Sequence, residues 1–211
     1  MKKFKRAAAL ILALCMLFAL TACSSKPTAE DAEKYVQAVL DLICTGDYDH
    51  SVKLVDADEM SATIDKSIDE ALEALGDETS ISDEVKSSFR EVMLDMFAKA
   101  KYTVGDAVEV EGGFDVPVTM EPIQIGSTVE EAVNKAAEEL ANDPNVANMS
   151  EADIMNTLMQ VVVDAMKAEL EDPQYGEGVE VTVRYKEFED GVYGVDEADG
   201  EKLGEAMFQA F

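Results

Sequence analysis

After Ala100 the apolar residues of this chain change period, and that switch constrains the fold more than any other feature. Before it they recur at helical spacing. Beyond it Tyr102, Val104, Val108 and Val110 alternate with polar or small residues, as a half-buried strand does. Glu111-Gly112-Gly113 supplies a hairpin turn, and Phe114, Val116, Val118 and Met120 run back. The polar face of this pair is assigned Glu109, Asp115, Thr119 and Glu121, so one side of the sheet should be wet. A break at Gly105-Asp106 fits a bulge. Pro117 has no N–H to donate, which predicts an edge strand or an unpaired position there. A second hairpin follows near the C-terminus: Val179, Val181, Val183 and Tyr185 alternate with Glu180, Thr182, Arg184 and Lys186, Asp190-Gly191 turns, and residues 192–195 return.

Helical patterns fill the rest. Thr28 and Asp31 form an N-cap pair ahead of a stripe of Ala32, Tyr35, Val36, Val39, Leu40 and Ile43. Asp58 can cap a second helix with Met60, Ile64, Ile68, Ala71, Leu72 and Leu75 on one face. Ser82 starts a third, with Val85, Phe89, Val92, Met93, Met96 and Phe97 aligned. Ser127 with Glu130, and Ser150 with Asp153, are capping pairs before two more. The second of these, ended by Pro173, carries Leu158, Met159, Val161, Val162, Val163, Ala165 and Met166 and reads as apolar nearly all round, hence buried. A short helix from about Asp199 places Leu203, Ala206, Met207 and Phe208 together. The order predicts one α+β domain: a four-stranded antiparallel sheet of two hairpins, packed against several helices.

Ahead of these elements, Lys2, Lys3, Lys5 and Arg6 precede residues 7–20, which bear no charge. The run is too short for a span of about 20 residues. With the small residues after it, it fits a secretory signal. Leu20-Thr21-Ala22-Cys23 resembles the bacterial lipoprotein signal, in which the Cys is acylated and the preceding peptide removed. The expected organisation is therefore a signal at residues 1–22, a lipidated Cys23 with a tether to residue 28, and a single domain over residues 29–211.

Lys and Arg number 17 against 45 Asp and Glu, a formal charge of −28. Such a surface repels nucleic acid and anionic polymers, so neither is an expected partner. Cys15 would leave with the signal and Cys23 would carry lipid, which leaves Cys44 to pack in a core.

Candidate chemistry is sparse. His50 is the only histidine, no Gly-x-Ser-x-Gly elbow occurs, and phosphate-cradling glycine loops and cysteine pairs for zinc or haem are missing. No cofactor and no catalytic residue is expected. The acidic runs Asp196-Glu197-Ala198-Asp199-Gly200-Glu201 and Asp56, Asp58 and Glu59 fall short of a calcium loop, so no metal site is assigned; both read as solvated turns.

Tyr35-Val36-Gln37-Ala38-Val39-Leu40-Asp41 with Gly46-Asp47-Tyr48-Asp49 is similar to the opening helix of small lipid-anchored proteins of Gram-positive bacteria. Lys101-Tyr102-Thr103-Val104, residues 116–122, and Tyr175-Gly176 leading to residues 179–183 extend the resemblance. It implies a domain of unknown function with a cystatin-like or nuclear-transport-factor-like plan, and it brings no catalytic residues. The expectation is a lipoprotein held on the extracytoplasmic face of the cell membrane through Cys23. Its domain would bind a protein, peptide or small ligand without catalysis. Tyr102, Phe114, Met120 and Tyr185 are candidate pocket lining, with core packing as their other role. The alternatives are an envelope hydrolase using a carboxylate pair and, last, a transporter-associated solute receptor.

Overall fold

A computed structural model of the chain describes residues 20–21, 26–45, 66, 68–69, 81–125, 127–189 and 192–207. In chain order these form β1 (Leu20–Thr21), α1 (Ala29–Thr45), α2 (Asp83–Ala98), β2 (Lys101–Val104), β3 (Val108–Val110) and β4 (Gly113–Glu121). Then come α3 (Ser127–Asn142), a 3-10 turn (Val146–Asn148), α4 (Glu151–Glu171), β5 (Val179–Glu189), β6 (Val192–Val195) and α5 (Glu197–Met207). The fold is α+β. Cys23, His50, the cluster Asp56, Asp58 and Glu59, and the turn at Asp190-Gly191 lie outside the described residues. Of the helix expected over residues 58–75, only Lys66, Ile68 and Asp69 are described, all helical, with Ile68 buried.

All strand pairs are antiparallel, in the order β1-β6-β5-β4-β2, with β3 also on β4. The two hairpins join through β4 and β5, whose register runs from Gly113 opposite Lys186 to Met120 opposite Val179. Phe114, Val116, Val118 and Met120 thereby share one buried face with Val181, Val183 and Tyr185. Helices cover that face. The α1 stripe is buried along its length, as are all six of the aligned apolar residues of α2.

The first strand is split in two. Val104 pairs with Val118 and Val108 with Asp115, so residues 105–107 span a gap that Val116 and Pro117 alone fill on β4. One inserted residue exchanges the faces of everything beyond it. The placement of Val108 and Val110 on the core face is therefore corrected: they register with Asp115 and Gly113 on the solvent side, and Val108 is 60% exposed. Glu109, assigned to the wet face, pairs with Phe114 and its side chain is exposed. Pro117 is explained by the same bulge. Strand β4 is central, so the edge alternative fails. The Pro117 carbonyl accepts the Gly105 N–H at 2.8 Å. A strand residue turns its N and C=O to the same side, so the missing donor falls where the ladder is already interrupted.

Helix α4 also departs from expectation. Only Met159, Val163, Met166 and Leu170 are buried, a single stripe, while Leu158, Val161 and Val162 are half-exposed. Among the described residues it packs through this stripe against α2 and α3. Its N-terminus is as predicted: Ser150 and Asp153 close a capping box. Thr28 and Asp31 do the same for α1, the Asp31 N–H reaching Thr28 Oγ1 at 3.3 Å and Thr28 N–H reaching Asp31 Oδ2 at 2.8 Å. Helix α3 instead starts at Ser127 itself.

Candidate functional site

An open-sided cleft of about 420 Å³ lies between α1 and the bulge, lined by Glu33, Lys34, Gln37, Ala38, Asp41, Val104, Gly105 and Asp106. Positions 33, 34, 37, 38 and 41 recur at helical spacing, so they form the face of α1 opposite part of its core stripe. The other wall exists because the bulge lifts residues 105–107 off the ladder.

The carboxylates of α1 hold this wall in place. Glu33 Oε1 accepts the Ala107 N–H at 2.7 Å, and Asp41 Oδ1 accepts the Tyr102 hydroxyl at 2.5 Å and the Gln37 amide at 2.6 Å. Burial, then the bond to Asp41, pushes the Tyr102 phenol up, so it stays a protonated donor at neutral pH. Lys34 is turned to Glu30 at 2.6 Å, which raises its ammonium. Glu33 and Asp41 stand two helical turns apart, about 12 Å along the axis. A glycosidase-type carboxyl pair works at about 5–9.5 Å. This pair is thus set wider along the helix than such a mechanism uses, and Asp106 on the opposite wall is the third carboxylate of the lining.

Of the expected lining residues, Phe114, Met120 and Tyr185 are buried in the core, and Tyr102 packs against it. None of the four lines the cleft; only Tyr102 touches it, through Asp41. No local sequence pattern assigns a site to Glu33, Gln37 or Asp41. Nothing local to them says that a bulge some 60 residues later closes over that face of α1.

A tyrosine ladder runs through the core from α1 to β6. Tyr35 of α1 meets Tyr185 of β5 at 5.1 Å between ring centroids, and Tyr185 stacks on Tyr193 of β6 at 5.8 Å. Burial pushes the Tyr185 phenol up to about 12. Tyr35 is fully buried, and its hydroxyl has no hydrogen-bond partner among the described residues. A buried donor left unpaired costs about 1–3 kcal/mol. Tyr35→Phe should therefore raise stability by about 1 kcal/mol in urea denaturation; a loss of that size would show that the hydroxyl has a partner.

The acidic run near the C-terminus is occupied by the protein's own cations. Asp196 pairs with Lys186, which holds its carboxyl below the usual range. That stabilisation is present at neutral pH and is lost as pH falls through the folded value. Asp199, 6% exposed, accepts Lys202 at 2.6 Å on one oxygen and the Arg184 N–H at 2.8 Å on the other. Cys44 is 1% exposed on the core face of α1. Among the described residues no helix is long and apolar enough to cross a membrane. No family model, no curated protein and no solved structure matches the chain.

Proposed function

We propose that this chain is a lipoprotein anchored through Cys23 on the extracytoplasmic face of the cell membrane, whose domain binds a protein, peptide or small ligand without catalysis. One observation carries the anchoring: a basic stretch, an uncharged run and Leu20-Thr21-Ala22-Cys23 stand directly ahead of the domain. Among the described residues the core cluster begins with Ala29 and Ala32, so a cut before Cys23 spares it. Two acyl chains give stable retention, at about 0.8 kcal/mol per buried methylene. The likeness to small Gram-positive envelope lipoproteins of unknown function belongs to the same reading. Binding is supported by the cleft beside α1, whose lining brings together Glu33, Asp41 and Asp106.

The test is metabolic labelling with a fatty acid, followed by membrane fractionation. Wild-type protein should carry the label and sediment with membranes, and Cys23→Ala should lose both properties. Wild-type protein that takes no label and stays in the soluble fraction overturns the reading.

A further inference from the structure

Among the described residues the edges of the sheet are protected to different degrees. On the far side, β2 and β3 are short, are broken by the bulge, and carry Lys101 and Glu109. Strand β6 reaches along β5 only as far as Tyr185, and the stretch of β5 beyond it packs against α5, where Asp199 takes the Arg184 N–H. Short strands, charge, bulges and covering helices are the usual protections of an edge. Strand β6 is as short as β2 and meets a register shift in β5 between Glu187 and Glu189, but the strand itself carries no charge, and among the described residues no helix lies along it. Its sequence is Val192-Tyr193-Gly194-Val195, without charge or proline, and its outer side is covered by Leu20 opposite Tyr193 and Thr21 opposite Val192.

We infer that the outer edge of β6 is a strand-acceptor site, filled by β1 in the precursor and vacated by cleavage before Cys23, which then receives an extended, basic-flanked segment of another polypeptide. The vacating step rests on the lipoprotein reading; the acceptor property of the edge does not. Seating of Leu20–Thr21 shows that the edge takes an extended backbone in antiparallel register. Charge selects the occupant. Whole-chain charge is −28 and cleavage removes four basic residues; beside β6, Glu187 lies opposite Tyr193, while Asp196 just after the strand is paired with Lys186. Two copies pairing through β6 would bring two strongly acidic chains together, whereas lysine or arginine beside a partner strand would be attracted.

The probe is the peptide Lys-Phe-Ala-Leu-Thr-Ala-Lys, compared with its glutamate-flanked counterpart. Three proteins are used: processed chain, intact precursor, and a precursor carrying Leu20→Pro and Thr21→Pro, which displaces β1 without cleavage because proline cannot donate to the ladder. The lysine peptide should bind the processed chain and the double-proline precursor at least tenfold more tightly than the glutamate peptide, and should slow amide exchange at residues 192–195. Intact precursor should not bind it. Equal binding to intact precursor, no binding to the opened forms, or protection elsewhere overturns the inference. Concentration-dependent pairing of the processed chain through β6 overturns the assignment of the occupant. The N-terminal mass of the processed chain separates the two questions: a chain retaining Leu20 defeats the lipoprotein reading, while the double-proline precursor still tests the edge.

Discussion

Gly113→Ala should destabilise the domain by about 3 kcal/mol or more, lowering the melting temperature by about 6–12 °C. A Cβ at this position would lie 2.1 Å from the carbonyl oxygen of Tyr185 and 3.0 Å from the Cα of Lys186. Both obstacles are backbone, so no rotamer change relieves them, and β4 and β5 must part at that end. Separation there also disturbs the adjacent pair Phe114 and Tyr185, and through Tyr185 the ring of Tyr35. The neighbouring glycine is the control. Gly112 has φ of 83° with nothing within 4 Å of its would-be Cβ, so Gly112→Ala meets only the left-handed backbone penalty of about 1–2 kcal/mol. Urea denaturation of the two variants should separate them clearly. Equal losses would mean that the close approach of the two strands at Gly113 is wrong.

Asp199→Ala should cost about 2–3 kcal/mol, because it strands the Arg184 N–H in a buried setting and removes the link between α5 and β5. Asp199→Asn keeps an oxygen for that N–H and should recover about half the loss; it gives up the ionic partner of Lys202, which is worth little at an exposed ammonium. Amide exchange locates the effect. The Arg184 amide should exchange faster in the alanine variant and near the wild-type rate in the asparagine one. If alanine and asparagine behave alike, the ion pair and not the backbone bond carries the stabilisation.

Much of the architecture was written locally. Periodicity alone placed α1, α2 and α4 within a residue or two, because burial of one stripe selects the helix whatever lies opposite. The cap pairs Thr28 with Asp31 and Ser150 with Asp153 were legible because each satisfies its own helix end from within four residues. The alternation of Val179 to Tyr185 and the turn at Gly112 were equally local. The candidate site was not. Tyr102 meets the cleft only through its bond to Asp41, and Glu33, Gln37 and Asp41 are not singled out by any local pattern, since their placement depends on a loop far along the chain.

What the sequence determined by itself is which segments are helix or strand, where most of them start, and that an uncharged run ending in Leu-Thr-Ala-Cys precedes them. Those features follow from residue spacing and from bonds made within a turn or a cap. Tertiary structure decided the rest: that β4 lies beside β5, that Pro117 sits in a central strand, that the bulge turns Val108 outward, and that Asp196 and Asp199 serve Lys186, Lys202 and the Arg184 backbone. Each of these depends on which strands meet and in which register, and one inserted residue is enough to reverse a face while leaving the apolar count unchanged.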